Sequence, residues 1–526
     1  MNWITFTSFI GFSALVALGT WLLVRKKETN SRDGYFLAGR SLTFPFIAGS
    51  LLLTNLSTEQ LVGLNGSAYA EGFIVMAWEL VAVIALICMG LFFLPRFLRS
   101  GVATVPEYLS LRFNRTTGAI TNIIFLCAYT FGLLPIILYT GATGMNGIFN
   151  LEKLAGPEHY VIVLWAMVWF IGIAGSIYAL FGGLRSVAVS DTLNGIGLLT
   201  GGFMIVYFAL NAVSDGNGVM AGIRILHKAL PDKFNSIGSP QSSVPFTSLF
   251  TGVLIINVFY WCTNQQIIQR TFGASSLAEG QKGVLLTGAL KILGPLYLVL
   301  PGVAAYYLFS KQGIKPDHAY GTLVYNVLPA PLTGFFAAVL VGAILSSFNS
   351  ALNSSCTLFS LGIYKEFIRR DATDEQVVRS GKIFGWIVAV ASMSIAPLLA
   401  GTTSIFTYLQ YLNSVYFIPI FAVVLIAMLT RVVPPFAANF SLIAGCVLML
   451  LSLFVNIPMQ QFHYAGLVFL FLIVFMLFAG LFKPLAEPRT VPEANVIDMT
   501  PWKPAPYAAA VIFLIVVTIY AALAKF

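Results

Sequence analysis

Residues 54–60 read Thr54-Asn55-Leu56-Ser57-Thr58-Glu59-Gln60, and this polar stretch lies inside a long apolar run. Polar and ionisable side chains are costly in a lipid bilayer, so they persist there only when they face a cavity or partner groups within the protein. A short interruption of a membrane helix also exposes backbone carbonyls, which can bind a cation and a polar solute together. The stretch therefore predicts the centre of a transport site. The alternative is a polar contact that joins two helices.

The composition of the whole chain is that of a polytopic α-helical membrane protein. Of its 526 residues, 58% are hydrophobic and only 9% are charged, whereas soluble domains carry about 25% charged residues. The five cysteines lie in apolar runs and the four histidines in loops or at the ends of runs, which argues against a disulfide framework or a metal centre. We find no nucleophile–base pair and no segment long enough for a soluble signalling domain. We therefore expect a protein that is not an enzyme, with no nucleic-acid partner and no obligate protein partner.

Apolar runs of about twenty residues each predict fourteen transmembrane helices. They cover approximately residues 3–24, 44–70, 73–98, 117–149, 160–180, 187–212, 243–269, 281–309, 330–364, 382–400, 402–429, 437–455, 464–482 and 507–525. The first run is interpreted as a span and not as a cleaved signal, because Arg25, Lys26 and Lys27 follow it directly without a convincing cleavage site.

The basic residues predict how the chain is oriented in a cell (inner) membrane. If the N-terminus lies outside, 21 of the 29 lysines and arginines fall in loops that face the cytoplasm, and seven face outward. This asymmetry is the one that the positive-inside rule favours. Fourteen spans then place both termini on the outer side of the membrane.

The order of the spans predicts an inverted repeat. Spans two to six and seven to eleven form two groups of five, and an odd number of spans inverts the second group against the first. Span seven is interrupted like span two, since polar residues from Asn257 to Gln266 lie within it. We divide the chain into a leading helix and loop (1–43), a first repeat (44–212), a second repeat (243–429) and three accessory helices (430–526).

Two ionisable residues of opposite charge lie within predicted spans. Glu79 is in span three and Lys291 is in span eight. Each charge is costly when it is buried alone. The two residues either form a fixed ion pair or bind a polar solute between them.

Span nine carries a polar face. Ala343, Ser346, Ser347 and Ser350 lie on one side of the helix by their three- and four-residue spacing. Hard cations prefer oxygen ligands, and neutral oxygens suit a monovalent ion that must also leave. The alternative is a seam of small residues between two helices.

Two further polar residues have both a functional and a structural interpretation. Gln410 lies among aromatic residues in span eleven, as expected for a sugar pocket or for an aromatic core with one satisfied amide. Asp191 lies near the start of span six. It has either an ion-related role or a structural one, as a helix N-cap or as the partner of Arg185.

Several motifs together carry a resemblance to a known family. They are Tyr35-Phe36-Leu37-Ala38-Gly39-Arg40, Asn55-Leu56-Ser57-Thr58-Glu59-Gln60, Phe181-Gly182-Gly183-Leu184-Arg185-Ser186, Tyr260-Trp261 with Asn264-Gln265-Gln266-Ile267-Ile268-Gln269-Arg270, Ala278-Glu279-Gly280-Gln281-Lys282-Gly283, and Ser346-Ser347 with Leu352-Asn353-Ser354. The chain resembles the sodium–solute symporter family, in its bacterial sodium–galactose transporter branch. The resemblance implies a LeuT-type 5+5 inverted repeat with one extra N-terminal and three extra C-terminal helices.

The resemblance also implies the residues of two binding sites. A sodium site would use the backbone carbonyls of Leu53, Leu56 and Ala343 with the hydroxyls of Ser346 and Ser347. A sugar site would use Asn55, Gln60, Glu79, Asn257, Lys291 and Gln410, with Tyr260 covering the sugar on the inner side. An outer lid would consist of Leu64, Tyr139 and Phe406, and Asp191 would act in ion release or at a second ion site.

Some positions depart from the branch. Ala82, Trp78 and Thr407 replace a serine, a tyrosine and a glutamine, and Leu64 replaces a methionine. Asn349 and Ser350 stand where a second sodium site would use two hydroxyls. We therefore expect sodium-coupled uptake of a neutral sugar, a hexose such as galactose or glucose, by alternating access. The alternatives are another polyol or small polar solute, and proton-coupled sugar transport.

Overall fold

A computed structural model describes residues 3–24, 31–57, 59–149, 156, 159–400, 405–455, 457–494 and 496–525. Thr58 and the side chains of Glu59 and Thr407, which the sequence analysis names, lie outside this description. The described residues form helices, with no β-strand beyond two isolated bridges, Leu42 with Ala274 and Ser276 with Asp498.

We number the apolar helices in chain order. They are α1 (Trp3–Val24), α2 (Phe44–Asn55 and Asn65–Glu71), α3 (77–100), α4 (Arg115–Asn146), α5 (Tyr160–Leu180), α6 (Gly183–Val213), α7 (Gly252–Cys262 and Gln265–Phe272), α8 (Leu277–Lys291 and Pro295–Gln312), α9 (Ala330–Ile368), α10 (Asp374–Leu399), α11 (Ile405–Leu429), α12 (Pro435–Leu451), α13 (Gln461–Phe482) and α14 (Ala505–Leu523). Shorter helices between them are Arg32–Leu37, Ala38–Arg40, Val105–Arg112, Val219–Ala229, Pro231–Phe234, Phe246–Phe250 and Pro316–Val327.

By length and composition, ten helices within the described residues are able to cross a membrane, and α8, bent by 44°, makes an eleventh. Three of the fourteen predicted spans begin with or form a helix shorter than 18 residues. Spans two and seven begin with the short first halves of α2 and α7, and span twelve forms the short helix α12. Two glycines with positive φ mark boundaries between helices. Gly72 (φ 81°) interrupts the helical stretch between α2 and α3, and Gly183 (φ 62°) separates α5 from α6.

The interruptions predicted in spans two and seven are confirmed. The first half of α2 ends at Asn55, and a wide turn at Glu59–Leu64 leads into its second half. The first half of α7 ends at Cys262, and the extended residue Asn264 (φ −70°, ψ 120°) precedes its second half. Both helices therefore have backbone ends inside the bundle, where partner groups must satisfy them.

The helices differ in how deeply they are buried. In α9, 83% of the most apolar part is buried inside the protein, against 11% in α1 and 17% in α14. The α5–α6 stretch packs against α9, α2 and α1. Helix α9 therefore lies in the core, and its predicted polar face points at other helices and not at lipid.

Candidate functional site

The two ionisable residues predicted within spans meet in the interior. The Lys291 ammonium lies 2.6 Å from Glu79 Oε2, and each side chain is only 1% exposed. The ammonium also donates to Asn55 Oδ1 at 2.5 Å. Since Asn55 is the last residue of the first half of α2, the contact connects α8 and α3 to the interrupted helix.

Local backbone features of α8 place Lys291. Its first half ends at this residue, and Pro295, which has no backbone N–H, begins the next helical segment after a 44° bend. Gly294 lies against the acid, because a Cβ atom added there would be 2.4 Å from Glu79 Oε2. Any larger residue at position 294 would displace the carboxylate.

Several buried polar atoms of α3, α8 and the turn of α2 have unused hydrogen-bonding capacity. Within the described part of the chain, the Glu79 Oε1 atom, the Gln60 Oε1 atom and the Tyr297 hydroxyl are buried without a hydrogen-bond partner. The other carboxylate oxygen, Glu79 Oε2, is taken up by the Lys291 ammonium. Buried polar groups are normally satisfied, so unmet ones suggest a ligand. Tyr297 was missed in the sequence because a tyrosine in an apolar helix is normally interpreted as packing.

The remaining residues predicted to bind sugar lie on α7 and α11. Asn257 is 6% exposed, and its amide donates to the Val253 carbonyl of its own helix at 2.9 Å. Tyr260 is half-buried beside Trp261, with ring centroids 5.3 Å apart. Gln410 lines a cavity of about 10 Å³. This volume holds at most one water, so a sugar enters there only if the surrounding residues move.

The three predicted lid residues belong to segments that meet at the Glu59–Leu64 turn. Phe406 packs edge-to-face on Trp78, with centroids 5.7 Å apart. A Cβ atom on Gly63, the neighbour of Leu64, would lie 2.9 Å from Phe406 Cβ, so only a glycine permits this close packing. Tyr139 is buried on α4, in a segment that contacts the Glu59–Leu64 turn.

The polar face of α9 lies against the interruption of α2. Ser347 Oγ donates to the Thr54 carbonyl at 3.2 Å, and Thr54 Oγ1 shares a hydrogen bond of 3.2 Å with Ser350 Oγ. Ser346 is buried, and its hydroxyl lies near the Asp191 carboxylate. Ser347 of the predicted sodium set therefore lies at the end of the first half of α2, and its hydroxyl is a neutral oxygen of the kind that suits a monovalent cation.

Asp191 is paired with Arg270 and not with Arg185. It lies well inside α6, and its Oδ2 accepts from Ser50 Oγ at 2.6 Å and lies 4.0 Å from an Arg270 guanidinium nitrogen. Arg185 donates instead to Ser41 Oγ at 2.6 Å. Both structural interpretations of Asp191, as an N-cap and as the partner of Arg185, are therefore wrong.

Arg270 is fully buried and connects four helices. It donates to the Gln266 carbonyl of α7 at 2.5 Å, to Ser50 Oγ of α2 at 3.1 Å and to Ser350 Oγ of α9, in addition to its contact with Asp191 of α6. Arg270 is one of the 21 basic residues that the sequence analysis counted in cytoplasmic loops, and this placement was wrong because the residue is buried. The sequence offers no signal for this role, because a basic residue near the end of a span fits the positive-inside pattern.

Tyr129 caps the second half of α7. Its hydroxyl donates to Asn264 Oδ1 and accepts from the Gln266 backbone N–H at 3.0 Å. It thereby satisfies one of the free donors at the start of a helix that begins inside the bundle. The sequence analysis missed this residue too, since Tyr129 lies in an unremarkable apolar run.

Comparisons with known proteins show the family and the fold of this chain. A family model described as the sodium:solute symporter family matches residues 35–445. The chain is 44% identical to a protein of Escherichia coli (strain K12) called "Uncharacterized symporter YidK", over 100% of this chain and 92% of the relative. It is 34% identical to the sodium/glucose cotransporter of Vibrio parahaemolyticus, over 75% of each chain. The solved structure of a sodium-coupled sialic acid symporter superposes with a TM-score of 0.77 at 19% identity, covering 92% of this chain and 99% of that one, which shows a shared fold.

Proposed function

We infer the function of this chain from its family, because the chain belongs to the sodium:solute symporter family. It is therefore a multi-pass membrane transporter and not an enzyme, as predicted. The predicted LeuT-type inverted repeat with one extra N-terminal and three extra C-terminal helices is confirmed. The repeat limits of 44–212 and 243–429 stay predictions.

We propose that the solute is a neutral sugar and that sodium carries it inward by alternating access. The observation that supports this is the Lys291–Glu79–Asn55 cluster, in which two opposite charges cancel and several hydrogen-bonding atoms are unused. Such a cluster suits a molecule with many hydroxyls and no net charge, because each hydroxyl both donates and accepts. In this proposal Gln60, Asn257, Tyr260, Gln410 and Tyr297 complete the sugar site.

Uptake into vesicles tests the proposal directly. A panel of labelled hexoses, polyols and small polar solutes is offered with and without an inward sodium gradient. We expect a hexose to accumulate only when sodium is present. Accumulation of a non-sugar solute alone would contradict the sugar assignment and leave the family intact, and accumulation driven by a proton gradient without sodium would contradict the choice of ion.

Our proposal for sodium binding rests on Leu53, Leu56, Ala343, Ser346 and Ser347. Ser347→Ala removes one hydroxyl ligand, so we expect the sodium concentration for half-maximal uptake to rise about tenfold. The control is Ser355→Ala on the same helix, because Ser355 Oγ bonds only to the Ala351 carbonyl of its own turn. Unchanged uptake when choline or potassium replaces sodium would show that the ion assignment is wrong.

We also propose that one sodium accompanies each sugar. A second ion would have to use Asp191 and Ser350, and both already contact Arg270, while Asn349 offers an amide in place of a hydroxyl. One charge across 100 mV contributes about 2.3 kcal/mol. A tenfold sodium gradient brings the total to about 3.7 kcal/mol, enough for roughly 500-fold accumulation. We expect a charge-to-sugar ratio of one in a combined current and tracer measurement, and a ratio of two would contradict the proposal.

The proposed orientation has both termini outside the cell membrane. It rests on the excess of basic residues in the loops assigned to the cytoplasm.

A further inference from the structure

A cavity of about 180 Å³ lies apart from the transport site, at the end of the bundle that the basic loops predict to be cytoplasmic. The helix Val105–Arg112, the start of α4 and the end of α9 form its walls. A single water needs only about 10–15 Å³ of such space, so the cavity is large enough for a small polar group. Two apolar residues of its lining, Leu111 and Phe367, are 39% and 53% exposed. They mark a side of the cavity that is suited to contact with lipid chains.

Charges of both signs line this cavity. Arg32 lies 3.8 Å from Glu107, and Arg115 lies 3.7 Å from Glu366. Both distances exceed hydrogen-bond length. Glu107 Oε2 accepts from the Ala103 backbone N–H at 2.8 Å, and the other charged groups keep donors and acceptors that can receive a ligand. Lys365 also lines the cavity and forms no ion pair with any residue that the structure describes.

Two buried polar atoms at the cavity have no partner within the described residues. Asn122 is 3% exposed, and its Oδ1 accepts no hydrogen bond. The Nε atom of Arg32 is buried and donates none. A Cβ atom on Gly362 would lie 2.0 Å from the Asn122 amide nitrogen, so the glycine at position 362 provides the space that this amide occupies. A buried acceptor and a buried donor that are both unused indicate a ligand that carries both kinds of group.

We propose that this cavity binds the headgroup of a phospholipid that carries a phosphate and a primary ammonium. The phosphate accepts from Lys365 and the Arg32 Nε atom, and the ammonium donates to Asn122 Oδ1 and the carboxylates of Glu107 and Glu366. The exposed Leu111 and Phe367 contact the acyl chains, which a soluble phosphate–ammonium compound lacks. A bound lipid would hold the start of α4 against the end of α9, the helix that carries Ser346 and Ser347.

Thermal unfolding of the purified full chain in detergent tests the proposal. Added phosphatidylethanolamine should raise the unfolding temperature by a few degrees, since a ligand of the folded state stabilises it by mass action. Lys365→Gln should require about ten times more of this lipid for half of the shift. The matched control is Arg379→Gln, an exposed residue of α10 outside the cavity lining, which should leave the lipid response unchanged.

Three further additions distinguish the chemistry. Phosphatidylglycerol lacks the ammonium, phosphatidylcholine has an ammonium without N–H donors, and soluble phosphoethanolamine lacks the chains, so each should give a clearly smaller shift. An equal shift with any of the three, or an equal response of the Lys365→Gln and parent proteins, would overturn the proposal. These readouts do not involve sugar or sodium, and they hold whichever solute the protein carries.

Discussion

Replacing Glu79 and Lys291 together by apolar residues of similar size is expected to restore folding without restoring sugar binding. Each single change, such as Lys291→Met, leaves a buried charge without its partner and should destabilise the protein by about 3–5 kcal/mol. The double variant Glu79→Leu/Lys291→Met removes both charges from a site where each side chain is 1% exposed, so most of that loss should be recovered.

Sugar binding should respond differently, because the hydroxyls of the solute lose their partners. Each lost contact leaves a polar group unpaired and costs about 1–3 kcal/mol. Two such losses weaken binding by roughly 30-fold or more. Unfolding temperature and sugar binding in sodium are measured on the same preparations.

The matched control is Lys282→Met, on the same helix. Lys282 pairs with Glu279 at 3.0 Å but is 35% exposed, so both readouts should stay near the parent values. A double variant of Glu79 and Lys291 that binds sugar like the parent would show that the pair only stabilises the fold. It would remove the main support for a sugar over any other solute.

Arg270→Met should be among the most destabilising single substitutions in the protein. It removes the partner of Asp191 in a pair where neither side chain is exposed, so a loss of about 3–5 kcal/mol is expected. Asp191→Asn/Arg270→Met removes both charges and should regain most of the unfolding temperature. Arg185→Met is the control, because Arg185 is only partly buried and bonds to Ser41 at the edge of the bundle.

The same single variant tests the proposal that one sodium accompanies each sugar. Without the guanidinium, the Asp191 carboxylate and the hydroxyls of Ser50 and Ser350 form an oxygen set open to a small cation. Sodium should then raise the unfolding temperature of Arg270→Met more than it raises that of the parent, when each is compared with potassium. An equal sodium effect in both proteins would contradict the view that Arg270 takes the place of a second ion.

The sequence predicts those features of this protein that polar residues mark within apolar runs. The interruptions near Asn55 and Asn264 were foreseen because polar side chains are rare at such depth. The contact between Glu79 and Lys291 was one of two predicted outcomes, because each buried charge is less costly when it lies beside the opposite charge. For the sugar and sodium sites as a whole, the sequence gives residue sets that stay proposals.

Features that depend on three-dimensional convergence could not be predicted. Arg270 is buried among Ser50, Asp191 and Ser350, which belong to three other helices. No pattern in the sequence around Arg270 predicts contacts with residues so far away in the chain. Tyr297 likewise becomes notable only once its hydroxyl is found without a partner. The late start of α7 was not predicted either, because the run of 243–269 was taken as one span, whereas Phe246–Phe250 forms a separate short helix and α7 begins at Gly252.

The two interrupted helices also bear on how the chain enters the bilayer during its synthesis. At 1.5 Å per residue, the 12-residue first half of α2 is about 18 Å long and the 11-residue first half of α7 is shorter still. The hydrocarbon layer is about 30 Å thick, so neither half spans it alone. The free end of the first half of α2 is satisfied by Ser347 of α9, and the start of the second half of α7 by Tyr129 of α4. Because Ser347 belongs to a helix that is synthesised long after α2, the contact that satisfies the break in α2 forms only after α9 has been made.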